Sequence, residues 1–172
     1  MPHAMAGTAF ITDNLLQDSI VKAVQNVCRT MLRQEAVLVE TTPACTLTSL
    51  GPPPHIIGSV GFAGEANGMV YLGFSEQFAR SAAGRILGMS AGEVEMHGYE
   101  VVKDVVGEIT NMTTGGFKNA LCDIGFPCKL SLPTIVRGDN LVVAAIKSAS
   151  RQVFHFTVGE HRLIADVQLR SQ

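Results

Sequence analysis

Asp104, Glu108, Asn111, Gly115 and Lys118 recur at three- and four-residue intervals through one stretch of a 172-residue chain. That spacing puts side chains on one side of an α-helix, because each residue turns the helix by roughly 100°. With Val105 set at zero, the five fall between roughly −60° and −140° by the same rotation. Carboxylates at Asp104 and Glu108 can pair with cations. The Asn111 carboxamide can donate and accept hydrogen bonds without changing charge. A glycine within the stripe would let another backbone come close. The plain alternative is a solvated face. Such faces favour Glu, Lys, Arg and Ala, whereas here Asp, Asn and Gly stand inside the helix. Gly115 and Gly116 together cost about 2 kcal/mol of helix propensity relative to alanine. Approach of a partner would account for that loss, and so would close packing within the fold. Spacing alone does not choose between them.

The stripe needs a long helix, and the pattern predicts one from about Tyr99 to Asp123, stopped by Gly125 and Pro127. Val102, Val105, Ile109, Met112, Gly116 and Ala120 lie within about 60° of Val105 and predict its buried face. An earlier helix is expected from about Leu15 to Arg33, capped by Thr12-Asp13-Asn14 and buried along Leu16, Ile20, Val24, Val27 and Met31. A third follows Ser75 and packs through Phe78, Ala82, Ile86 and Leu87 before Gly88. Strand character is read at Glu35–Leu50 (one strand or two), His55–Phe62, Met69–Phe74, Lys129–Val136, Leu141–Lys147, Gln152–Val158 and Leu163–Leu169. The sum is an α+β fold with helices laid on a mostly antiparallel sheet. Residues 1–11 read as a flexible tail and 12–172 as a single domain.

Asp104-x3-Glu108-x2-Asn111, with Gly115-Gly116-x-Lys118 behind it and Leu130-Ser-Leu-Pro133 downstream, resembles the signature of the CheC/CheX/FliY chemotaxis phosphatases. One copy of the motif in a chain of this length is most similar to CheX. The pattern's proline falls one residue later than Pro133, a difference that leaves Glu108 and Asn111 untouched. The resemblance implies a CheC-like fold and a phosphatase that dephosphorylates the phosphoaspartate of a CheY-like response-regulator receiver. It implies that Asn111 fixes the attacking water and that Glu108 pairs with a receiver lysine, making these two the catalytic residues. Asp104, Gly115 and Lys118 become partner-binding candidates; local capping or solvation is equally compatible with Asp104, simple solvation with Lys118 and helix packing with Gly115. It also implies a homodimer. Mg²⁺ is expected in the receiver, and no metal or cofactor on this chain. The alternative is a non-catalytic module on the same fold, a receiver-binding adaptor or flagellar-switch component. Asp18-x3-Lys22-x2-Gln25 repeats the spacing in the first helix and is assigned no activity.

Other chemistries find little support. The five histidines make neither HxxxH nor HExxH, and the four cysteines make no CxxC pair. Reduced thiols and a cytoplasmic setting are expected. A formal net charge of −2, ten aromatic residues and no tryptophan argue against a nucleic-acid surface. No apolar run approaches the ~20 residues that a membrane crossing needs. Charged residues make up only 16% of the chain while apolar ones reach 47%. That excess is expected to be buried between two copies, through Val142, Val143, Ile146, Phe154, Phe156 and Val158.

Overall fold

The computed structural model describes residues 10–170, so most of the expected tail lies outside the described residues. Ile11, at its end, packs against the core. Helix α1 spans Asp13–Val27 and begins where the Leu15 N–H donates to Thr12 Oγ1 at 3.2 Å. It buries Leu16, Ile20, Val24 and Val27, then passes into a π-helical turn, Cys28–Leu32. Strands β1 (Ala36–Thr42), β2 (His55–Gly64) and β3 (Gly68–Ser75) follow. Next come α2 (Glu76–Leu87), on which Leu87 is exposed and not packed as expected, α3 (Ala91–His97) and α4 (Tyr99–Asp123). The chain closes with β4 (Cys128–Leu130), β5 (Thr134–Gly138), β6 (Ala149–Val158) and β7 (His161–Arg170).

The seven strands form one sheet in the order β1-β6-β7-β3-β2, with β4 and β5 both on the outer edge of β2. Neighbouring strands are antiparallel throughout. Side chains alternate between faces. One face sends Val70, Leu72, Phe74, Leu163, Ala165 and Val167 beneath the helices. The other places Ile57, Val153 and Ile164 under Leu47, Leu50 and Val143, which come from connecting segments. The sheet is therefore covered on both sides.

That double cover corrects the expected surface for a second copy. Phe154, Phe156 and Val158 point into the helical layer and are fully buried within this chain. Val143 is buried in the second layer, whereas Val142 remains exposed. Nor is Leu141–Lys147 a strand. Its backbone is held by side chains instead: Arg151 donates to the Val143 carbonyl, Gln168 donates to the Ala144 carbonyl, and Gln168 accepts from the Ile146 N–H. A segment whose polar backbone groups find such partners has no need of a strand neighbour. The Glu35–Leu50 stretch resolves into β1 and a 3₁₀ turn, Leu47–Leu50. The link after Gly88 contains α3, set by a capping box in which Ser90 and Glu93 bond each other's backbone N–H.

Helix α4 runs over the expected span, but its buried arc is turned by roughly 70° from the expected one. Met112 and Gly116 are exposed, and Thr110, Thr113, Thr114 and Phe117 are buried instead. Threonine is admitted because its hydroxyl can return to the helix. Thr110 Oγ1 donates to the Val106 carbonyl at 2.7 Å and Thr114 Oγ1 to that of Thr110 at 2.8 Å. The methyl groups then pack like those of valine. Opposite Thr110 the sheet supplies Gly58, where a side chain would overlap the Thr110 side chain. This close approach seats α4 directly on β2.

Candidate functional site

With the buried arc so turned, the five-residue polar stripe lies on the opposite side of α4. Asp104, Glu108 and Asn111 are all exposed. Among the described residues, neither the Glu108 nor the Asn111 side chain takes part in an ion pair or hydrogen bond. A helical rise of about 1.5 Å per residue puts the two about one turn apart on the same side. Their polar atoms are therefore free to meet something outside the chain.

They line a shallow groove of about 300 Å³. Its helical wall is Lys103, Asp104, Gly107, Glu108 and Asn111, and its other wall is Leu132, Pro133 and Ile135. That second wall exists because the edge pairing of β2 is interrupted. Pairing with β4 ends at Phe62 and Leu130, and pairing with β5 resumes at Ser59 and Thr134. Val60 and Gly61 thus face Ser131, Leu132 and Pro133, one residue too many for a regular ladder. Ser131 clamps the interruption, its N–H donating to the Gly61 carbonyl at 2.8 Å and its Oγ accepting from the Gly61 N–H at 2.9 Å. Leu132 and Pro133 are pushed outward beside the helix. What the sequence presents as one strand, Lys129–Val136, is therefore two strands and a projecting corner.

The groove gathers Asp104, Glu108 and Asn111 but leaves out Gly115 and Lys118, which lie further along α4. A Cβ on Gly116 would lie 3.4 Å from that of Ala23, at the crossing with α1. One on Gly115 would meet nothing within 4 Å. A methyl at Gly116 would make an ordinary contact with Ala23 and one at Gly115 would meet open space, so packing within the fold requires glycine at neither position. Lys103, Gly107, Leu132 and Ile135 are the groove residues that sequence reasoning missed. Pro133 was the available signal, since a proline cannot donate to a ladder and marks an interruption.

The groove is not the largest hollow. One of about 490 Å³ lies between Phe10, Phe126 and Leu169, and one of about 610 Å³ between α2 and α3. Neither touches a motif residue. Among the described residues, no group of three or more His, Cys, Asp or Glu side chains is placed to hold a metal ion. No described helix is long and apolar enough to cross a membrane.

Comparison with known proteins places these features in a family. The fold is similar to a CheC-like superfamily protein from Shewanella sp. PV-4 at 22% identity, covering 93% of this chain and 100% of that one, with a TM-score of 0.79. It is similar to the chemotaxis protein CheX from Vibrio vulnificus at 24% identity, over 90% of this chain and 99% of that one, with a TM-score of 0.77. A chain of the CheX–CheY–BeF3–Mg²⁺ complex from Borrelia burgdorferi matches at 18% identity, over 91% of this chain and 98% of its own, with a TM-score of 0.73. No curated protein sequence matches significantly. Residues 56–157, which include the whole of α4 and both walls of the groove, match the family described as chemotaxis phosphatase CheX. On that match, which spans more than half of its length, the chain belongs to the CheX family of chemotaxis phosphatases.

Proposed function

We propose that this protein dephosphorylates the phosphoaspartate of a CheY-like receiver domain. The observation that carries the reading is the free, exposed pair Glu108 and Asn111 on the groove wall. A helix presenting such a pair can enter a partner's site, whereas a buried pair could not. Transfer of a phosphoryl group to water needs positioning and charge stabilisation more than covalent chemistry. The Asn111 carboxamide suits the positioning role, accepting from the water with Oδ1 or donating to it with Nδ2 while staying neutral. Glu108 would anchor the helix by pairing with the receiver's lysine. Asp104 would add a second contact on the groove wall, and Gly115 and Lys118 would extend the contact along the helix. The Mg²⁺ belongs to the receiver.

The test is phosphate release from a phosphorylated receiver, with and without this protein. Asn111→Ala is expected to lower the stimulated rate by on the order of 100-fold, the scale of a lost positioning contact. Binding to the receiver should survive. A stimulated rate unchanged by that substitution would remove Asn111 from the mechanism. A protein that binds the receiver and never speeds release would instead be the adaptor. The reading includes a cytoplasmic homodimer, to be checked by light scattering at micromolar concentration. Its surface would have to lie elsewhere than Phe154, Phe156 and Val158. Val37 and Val39 remain exposed on the edge strand β1.

A further inference from the structure

Leu132 is the most exposed apolar residue near the groove, at 88%. A lone exposed leucine is ordinary. What sets this one apart is how firmly it is presented. The bulge that projects it is clamped by both hydrogen bonds between Ser131 and Gly61, and Ser131 Oγ also lies 3.2 Å from the carbonyl of Leu132 itself. Pro133 then restricts the Leu132 backbone to extended conformations, because the ring clashes with a helical one. Bulges commonly re-aim a side chain beside a functional site. Here the aim is outward, at the lip of the groove that holds Glu108 and Asn111. With Pro133 and the half-buried Ile135, Leu132 forms an apolar wall facing a charged helical one.

We infer that Leu132 is a docking and specificity residue, which rests on an apolar patch of the receiver beside its phosphorylated aspartate while α4 enters the site. The inference depends on the receiver-phosphatase reading above and names the contact that sets the helix's approach. A backbone corner held in its bound geometry loses little freedom on association, so more of the apolar area it carries goes into affinity. The charged wall then addresses the phosphorylated site, and the apolar wall discriminates among receivers that share that site. Leu132 touches no reacting atom. Its contribution should appear in KM and not in kcat.

The experiment measures steady-state phosphate release from a CheY-type receiver, and in parallel the binding of the same receiver loaded with beryllofluoride and Mg²⁺. Leu132→Ala is expected to raise KM and Kd about tenfold and Leu132→Asp further, with kcat at saturation within about twofold of the unsubstituted protein. Leu132→Met should restore most of the affinity. Melting temperatures should be unchanged, since the side chain packs against little. If Leu132→Ala and Leu132→Asp leave KM and Kd within about twofold while Asn111→Ala still lowers turnover about 100-fold, the docking inference is overturned and the phosphatase reading stands. If the unsubstituted protein neither binds the receiver nor speeds release, the phosphatase reading fails and takes the inference with it.

Discussion

At the scale of single residues, packing within the fold requires neither of the two adjacent glycines of α4, and only Gly115 lies on the polar stripe. Gly116 lies against Ala23 of α1, whereas space around Gly115 is open out to 4 Å. Alanine at position 115 should therefore raise stability by about 1 kcal/mol, the difference in helix propensity. Urea or thermal denaturation would measure it. If Gly115 lies beneath the receiver, the same substitution should weaken receiver binding while stabilising the free protein. A gain in stability with no loss of affinity would exclude Gly115 from the contact. The threonines make the complementary point. Thr110, Thr113 and Thr114 are polar by composition, yet all three are buried, and Thr110 and Thr114 return their hydroxyls to the helix backbone.

At the scale of elements, what matters is how α4 and the β4–β5 corner are held in register. Helix α2 helps by clasping the outer strand: Arg137 of β5 donates to Glu76 Oε1 at 2.7 Å, and its guanidinium lies over the Tyr99 ring at the start of α4. Helix α2 itself starts where the Phe78 N–H donates to Ser75 Oγ at 3.0 Å in a buried setting. Ser75→Ala should therefore cost about 1–2 kcal/mol, the upper part of the range for a lost N-cap. The loss would be read from the denaturation midpoint. A change below about 0.3 kcal/mol would mean that solvent replaces the cap, against the burial seen here.

At the scale of the whole molecule, the second face of the sheet carries a polar staple. Arg151 donates to both carboxylate oxygens of the fully buried Asp166, the shortest contact being 2.6 Å, and reaches the Val143 carbonyl as well. Arg151→Ala would leave the Asp166 charge buried without its partner and free the 139–148 segment. A loss of about 3–5 kcal/mol is expected. Acidity acts elsewhere on that face. His155 is buried, its Nε2 lies 2.8 Å from Thr42 Oγ1 on β1, and burial pushes its pKa down. Arg162 acts in the same direction and Glu40 against it. The unfolded chain then takes up the proton first, beginning near the free value of about 6.5. The stability due to neutral His155 is complete above that pH and declines as pH falls below it, until the folded form also protonates. Between pH 8 and pH 5, the melting temperature of His155→Gln should therefore fall less than that of the unsubstituted protein.

Local patterns made much of this readable in the sequence, because caps, stops and alternation act over a few residues. Tyr99–Asp123 was bounded correctly by Gly125 and Pro127, and the β2–β3 and β6–β7 hairpins by their turns. That the stripe shares one side of α4 followed from helical spacing; that this side is exposed did not. Failures came where a distant partner decides. Leu141–Lys147 has the composition of a strand, but Arg151 and Gln168 satisfy its backbone. The apolar excess suggested a dimer face, yet Phe154, Phe156 and Val158 were needed beneath the helices, and a second layer absorbed Val143, Val153 and Ile164.

The sequence by itself determined most of the helices and strands, the long helix and the set Asp104, Glu108, Asn111, Gly115 and Lys118 on one side of it, since periodicity is a property of the chain. Only the tertiary structure decided which arc of that helix is buried and what faces the stripe. Gly58 on β2 admits Thr110, which fixes the rotation of α4, and the extra residue opposite Val60 and Gly61 pushes Leu132 outward at the groove that Asn111 also lines. Both depend on contacts between segments far apart in the chain, where spacing carries no information.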